Sequence, residues 1–208
     1  MTTHLYAFGS ICRGEIDPGS DTDLLACVAQ PRPEIDQKKF SVYSYNRIRQ
    51  LWDEGNPFAW HLHYESRLLF SSDGADFLGS LGAPSPYANA IEDCSKFNRL
   101  FVESYDALQG TENSKVFHLS CMFLATRNFA TCYSFTVGRP IFSRRSPLLI
   151  DRKLQIGEDA FNVLARARIL STRGYGDLLL DRDIFVAVQA APIVLEWMGE
   201  LLPRGEKI

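Results

Sequence analysis

Up to Ser80 the apolar positions come in short runs, and beyond it they recur at helical spacing. Leu5–Phe8 reads as a short strand entering the turn Gly9-Ser10. Asp23–Ala29 reads as a second strand, apolar enough to lie centrally in a sheet. Pro31-Arg32-Pro33 breaks the chain, and Lys39–Tyr45, rich in aromatic and β-branched residues, predicts a third strand. Asn46 can cap a helix through Asp53, which Gly55-Asn56-Pro57 ends. Phe58–Phe70 predicts another helix running into a strand-like Leu68-Leu69-Phe70, followed by a turn at Ser71–Gly74.

Gly82, Pro84, Ser85 and Pro86 mark a domain boundary. Ala88–Gln109 places Phe97, Leu100, Phe101, Tyr105 and Leu108 on one helical stripe. Ser114–Val137 predicts a long helix with Phe117, Cys121, Leu124, Phe129 and Tyr133. Gly138–Leu149, with two prolines, predicts a loop. Asp159–Leu170 and Asp183–Leu202 predict two more helices, the second kinked at Pro192. The fold class expected is α+β, with a small strand-and-helix domain at residues 1–82 and a helical bundle at residues 83–208.

Composition narrows the classes. The content is 46% hydrophobic and 23% charged with a net charge of −3, which fits a globular protein and argues against sequence-blind binding of duplex nucleic acid. No unbroken apolar run reaches the ~18 residues of a membrane span, so no membrane association is expected. Met1-Thr2-Thr3-His4 leads directly into the first strand, without the pattern of a secretory signal. The five cysteines lack Cys-x-x-Cys spacing, so reduced thiols in a cytoplasmic protein are expected, not a disulfide framework or a thiolate metal site.

The chemistry concentrates in Phe8-Gly9-Ser10-Ile11-Cys12-Arg13-Gly14 and Ser20-Asp21-Thr22-Asp23-Leu24-Leu25. On a strand, Asp21 and Asp23 at i and i+2 point to one face, ~6–7 Å apart at ~3.3 Å per residue. Two acids so placed can hold divalent metal, and paired metals can clamp the attacking and leaving oxygens of a phosphoryl displacement. Gly9 lets the backbone approach an anion, Ser10 offers a hydroxyl, and Arg13 a planar cation suited to phosphate.

A hydrophobic residue, Gly-Ser, a spacer and Asp-x-Asp together resemble the signature of the polymerase-beta-type nucleotidyltransferases. The resemblance implies a small mixed sheet, Mg²⁺ (or Mn²⁺) on Asp21 and Asp23, and a nucleoside triphosphate held by Gly9, Ser10, Arg13 and Ser20. It also implies a third carboxylate on a later strand, near Ser41–Tyr45, where this chain has no acid. Glu65 is the best substitute, and His61, one helical turn before it, shares its face. Asp36 is a poorer one. The later helices resemble the bundle of kanamycin-type transferases and of prokaryotic HEPN domains. Arg127-Asn128 lacks the downstream histidine of HEPN nucleases, so RNA cleavage is rejected.

Two functions follow. The first is metal-dependent transfer of a nucleoside monophosphate to an acceptor hydroxyl, with Asp21, Asp23 and Glu65 catalytic. Arg144, Arg145, Arg166 and Arg173 tilt the acceptor toward protein or nucleic acid, although a solvated helix face explains them as simply. By resemblance, a toxin–antitoxin or phage-defence pair is the setting, with a partner protein or a homo-oligomer allowed. The second is an inactive transferase fold that binds nucleotide or a partner protein.

Overall fold

The computed structural model describes residues 2–15, 22–30, 32–110 and 114–202. It divides into two compact units, Met1–Ala88 and Asn89–Ile208.

The first unit is built on a mixed four-stranded sheet of order β3-β2-β1-β4. β1 is Thr3–Phe8 and β2 is Asp23–Val28; they pair antiparallel, with Phe8 opposite Asp23 and Thr3 opposite Val28. β3, Phe40–Ser44, lies parallel to β2, and β4, Ser66–Ser71, lies antiparallel to β1. The apolar β2 is central, as its composition predicts. Between β1 and β2 stands a single turn of helix, α1, Ser10–Arg13. α2 (Tyr45–Asp53), α3 (Pro57–Glu65) and α4 (Phe77–Ser80) complete the unit.

Alternation sets the core. Tyr6, Phe8, Leu25 and Cys27 share one sheet face and bury against Ile48, Leu51 and Trp52 of α2, Ala59 and Leu62 of α3, and Phe77 and Leu78 of α4. Trp52 completes its burial by donating its indole N–H to the Gly82 carbonyl at 3.0 Å. α2 ends where Gly55 takes φ +62°; a Cβ there would sit 2.4 Å from the Pro86 carbonyl, so the turn and the covering segment both require glycine.

The helix expected over Phe58–Phe70 stops earlier, at Glu65, and the strand begins at Ser66. The reason is tertiary: from Ser66 onward the backbone bonds are taken by β1, a pairing no local pattern carries.

In the second unit, α5 (Ala90–Gly110), α6 (Lys115–Thr136), α8 (Glu158–Arg173) and α9 (Asp181–Leu201) form a bundle. α6 is buried on most sides, and Phe129 meets Trp197 at 5.3 Å between ring centroids. The segment expected as a loop contains a short helix, α7 (Ser146–Leu149), with Pro147 in its first turn, where a missing N–H costs nothing. Arg127 orders this segment by donating to the Phe142 carbonyl at 2.9 Å, and Ser146 donates to the Arg127 carbonyl at 3.1 Å.

α9 runs unbroken through Pro192. Among the described residues it is the one helix long and apolar enough to cross a membrane, with hydropathy 1.4. Gln189 and Glu196 interrupt its apolar run, which is why no unbroken run reaches that length in the sequence. Ala187, Ala191, Val194, Trp197 and Met198 are buried in the bundle, one face of an amphipathic helix, and 39% of its apolar window is buried.

Tyr6 joins the sheet to α4: its hydroxyl donates to Asp76 Oδ1 and accepts from the buried Leu78 N–H, both at 2.9 Å. Tyr6→Phe leaves that N–H without a partner and is expected to cost ~1–3 kcal/mol. Urea denaturation of the two proteins checks this through the midpoint at unchanged slope.

Candidate active site

The site forms where β1 ends. Gly9 takes φ 75° and ψ −141°, a conformation that favours glycine. Its N–H donates to the Glu65 carbonyl at 3.0 Å, and its own carbonyl accepts from Cys12 N at 3.0 Å, starting α1. Gly14, at φ 73°, closes that turn. On the other side of Gly9 stands Asp23, the first residue of β2. A Cβ added to Gly9 would lie 2.6 Å from Asp23 Oδ2. The glycine therefore provides the backbone conformation and also leaves room for the carboxylate.

Glu65 is the last residue of α3, a helix started by Pro57 and capped by Asn56, whose side chain accepts from Phe58 N at 2.9 Å. Its carboxylate is paired with the Arg13 guanidinium and lies 2.9 Å from His61 Nε2. Arg13 also meets Glu15 at 2.9 Å. Burial opposes the Arg13 charge, but the bonds to Glu15 and Glu65 outweigh it and hold the guanidinium above its ordinary value. His61 packs its ring edge-on to Phe8, centroids 5.7 Å apart. Phe8 is opposite Asp23 in the sheet, so His61, Glu65 and Asp23 share the face covered by the helices.

A cleft of about 480 Å³ opens beside Asp23, lined by Thr22, Asp23, Lys38, Lys39 and Ser41 among others. Leu24 pairs with Phe40 in the parallel ladder, which sets Lys39 beside Asp23. β3 contains no acid, so the position the resemblance gives to a third carboxylate is flanked here by lysines. Neither lysine was singled out from the sequence, because the β2–β3 register is a long-range fact.

Of the residues singled out, the structure brings Gly9, Ser10, Arg13, Asp23, Glu65 and His61 to one strand end. Ser20 and Asp21 lie outside the described residues. Asp36 sits in the turn before β3, accepting from Lys38 N at 2.9 Å. Trp52 is core, while Trp60 and Tyr64 stack on each other along α3 at 5.6 Å. Three of the second-unit arginines have partners within their own unit: Arg166 pairs with Asp183, Arg145 meets Glu158 at 2.9 Å, and Arg173 meets Tyr175 at 3.1 Å.

Residues 2–81 match the family model of the nucleotidyltransferase domain. The matched segment holds the Gly9 turn, Asp23 and Glu65, and ends before α5. It supports nucleotidyl transfer as the general activity and a transferase as the enzyme class. No curated protein matches the chain.

Among the described residues, no group of three His, Cys, Asp or Glu side chains could hold a metal ion. Mg²⁺ in nucleotide sites uses one or two carboxylates plus substrate phosphates, not an all-protein cage. Asp23, a hard oxygen donor held in a cradle that a Cβ on Gly9 would fill, fits that use.

Gly9→Ala should destabilise the fold by ~1–3 kcal/mol through strain at positive φ and overlap with Asp23. Adding Asp23→Ala should recover part of that loss, the overlap but not the strain. A double-mutant cycle in urea measures both.

Proposed function

We propose that the chain is a metal-dependent nucleotidyltransferase that moves a nucleoside monophosphate from an NTP or dNTP to an acceptor hydroxyl. The observation that carries this reading is the meeting at Gly9, at the end of β1, of the Asp23 carboxylate and of the backbone of Glu65, whose carbonyl accepts from Gly9 N.

Asp23, with Asp21, would hold Mg²⁺ (or Mn²⁺), which when bound supplies charge neutralisation at the transferring phosphoryl group. The missing side chain of Gly9 lets the triphosphate approach the backbone, and the hydroxyls of Ser10 and Ser20 offer hydrogen bonds to its oxygens. Glu65 accepts the proton of the attacking hydroxyl. The acceptor oxygen then bonds to the α-phosphorus, and the bond from that phosphorus to the β-phosphate oxygen breaks, releasing pyrophosphate. His61 acts as a positioning residue through its contact with the Glu65 carboxylate. Arg13, held beside Glu65, pairs with that carboxylate and brings positive charge to the edge where pyrophosphate forms.

A second reading is favoured by the acid-free β3 and the lysines beside Asp23: the fold binds nucleotide but transfers nothing. The two differ in one experiment. With Mg²⁺ and a cell extract as acceptor source, label from the α-phosphate of an NTP or dNTP should enter a product, and label from the γ-phosphate should not. Asp23→Ala should lower that incorporation by ~10³-fold or more, and Glu65→Gln by ~10²–10⁴-fold. Transfer of γ-label overturns the reaction assigned here. Mg²⁺-dependent nucleotide binding by calorimetry without transfer establishes the second reading. Absence of binding in both Mg²⁺ and Mn²⁺ rejects both.

A further inference from the structure

The opposite end of the same sheet carries a separate cavity of about 350 Å³, lined by His4, Tyr45, Asn46, Arg49, Asp73 and Phe77 among others. Along β1 the two sites are ~16 Å apart at ~3.3 Å per residue. Nothing in the nucleotidyl-transfer reading uses this end.

His4 sits on β1 with only 3% of its side chain exposed. Its Nδ1 is 2.7 Å from the Tyr45 hydroxyl, and its Nε2 is 3.1 Å from Asp73 Oδ1. From these neighbours we assign the proton to Nε2, against the carboxylate, so that Nδ1 accepts the hydrogen of Tyr45. Burial pushes the Tyr45 phenol up to about 12, so it keeps its hydrogen at neutral pH. That hydrogen points inward to His4, and the oxygen lone pairs remain for a donor arriving from the cavity.

Asp73 is arranged in the same sense. Ala75 N and Ser71 Oγ donate to Oδ1 at 3.0 and 2.8 Å, and the bond from Ala75 above all holds the carboxyl below its ordinary range. All these bonds, and the His4 contact, fall on Oδ1; among the described residues none falls on Oδ2. Arg49 lies with its guanidinium carbon 5.2 Å from the Phe77 ring centroid. Among the described residues, neither that guanidinium nor the Asn46 side-chain amide makes a hydrogen bond. Asn46 belongs to the first turn of α2, whose cap, Ser44, accepts from Arg47 N at 3.1 Å.

One small cavity thus carries a cation with unused donors and, supported by a buried histidine, an anion with an unused oxygen. A simple anion would gain from Arg49 and lose to Asp73, and a simple cation the reverse. A molecule bearing both charges can meet both groups at once. We propose that this cavity is a binding site for a free α-amino acid. Its carboxylate meets Arg49 and Asn46 at the start of α2, where the helix also favours negative charge. Its ammonium meets Asp73 Oδ2 and the Tyr45 oxygen, and Phe77 and Tyr45 offer aromatic surface to its side chain.

The test is calorimetric titration of the full chain with each of the twenty standard amino acids, with acetate and methylammonium as single-charge probes. At least one amino acid should bind saturably with a Kd of about 1 mM or tighter, and the single-charge probes about tenfold or more weaker. Arg49→Gln and Asp73→Asn should each weaken binding about tenfold or more, with circular dichroism and Tm showing that the fold is kept. Should Asp73→Asn unfold the chain, Arg49→Gln, at an exposed cation, decides alone. Failure of every amino acid to saturate, acetate binding as tightly, or undiminished binding by Arg49→Gln would each overturn the proposal. Nucleotide transfer plays no part in the readout, so the two assignments stand or fall separately.

Discussion

The hydrogen bond from Gly9 N to the Glu65 carbonyl, 3.0 Å long, fixes where β1 stops and where α3 hands over to β4. With that bond made, Phe8 must pair with Ser66 on one side and Asp23 on the other. Three chain segments far apart in sequence then meet at one residue. Only glycine meets the demands of that point, because the backbone is in the left-handed half of φ space and the Asp23 carboxylate fills the Cβ position. The acids are held by strand and helix termini, and strand and helix termini are more rigid anchors than long loops.

Charge at the site is balanced locally. Glu65 is 13% exposed in its side chain and is answered by Arg13 and His61. A buried carboxylate without such partners would lose several kcal/mol of solvation, so the pairing is a condition for placing an acid there at all. The same pairing bears on chemistry: a carboxylate held in one orientation is placed to accept a proton, and His61 lies 2.9 Å from it. The lysines beside Asp23 act in the opposite sense, adding positive charge where the family resemblance implies a third acid. A triphosphate carries enough negative charge to accept both lysines and metal, which is why the lysines do not exclude nucleotide binding.

The sequence made the outline of this site readable where the signal is local. Gly9-Ser10 and Asp23 stand out because a turn and an acid flank apolar runs, and the i, i+4 spacing of His61 and Glu65 places them on one helix face. The α+β class follows from the change of period at Ser80. What escaped is long-range. The early start of β4 depends on β1, the position of Lys39 on the parallel register, and the role of Arg13 on Glu65, fifty-two residues later in the chain. The bundle arginines are long-range in the same way: the acidic partner of Arg166, Asp183, lies on the next helix and comes into view only in the fold.

The two ends of β1 illustrate how one strand can serve two kinds of polar group. At Phe8 the strand runs into a glycine turn that leaves room for the carboxylate of Asp23. At His4 the strand is clamped: His4 joins Tyr45, forty-one residues away, to Asp73 on the far strand's loop. The imidazole bonds the Tyr45 phenol through Nδ1 and meets the Asp73 carboxylate through Nε2, so the clamp accounts for placing a histidine in that corner of the fold. It does not account for Asp73 Oδ2, or for a guanidinium lying over Phe77 without a hydrogen-bond partner among the described residues. Solvent could answer either group singly. Their placement in the lining of one cavity, beside a helix start, is the arrangement that a ligand with two opposite charges completes.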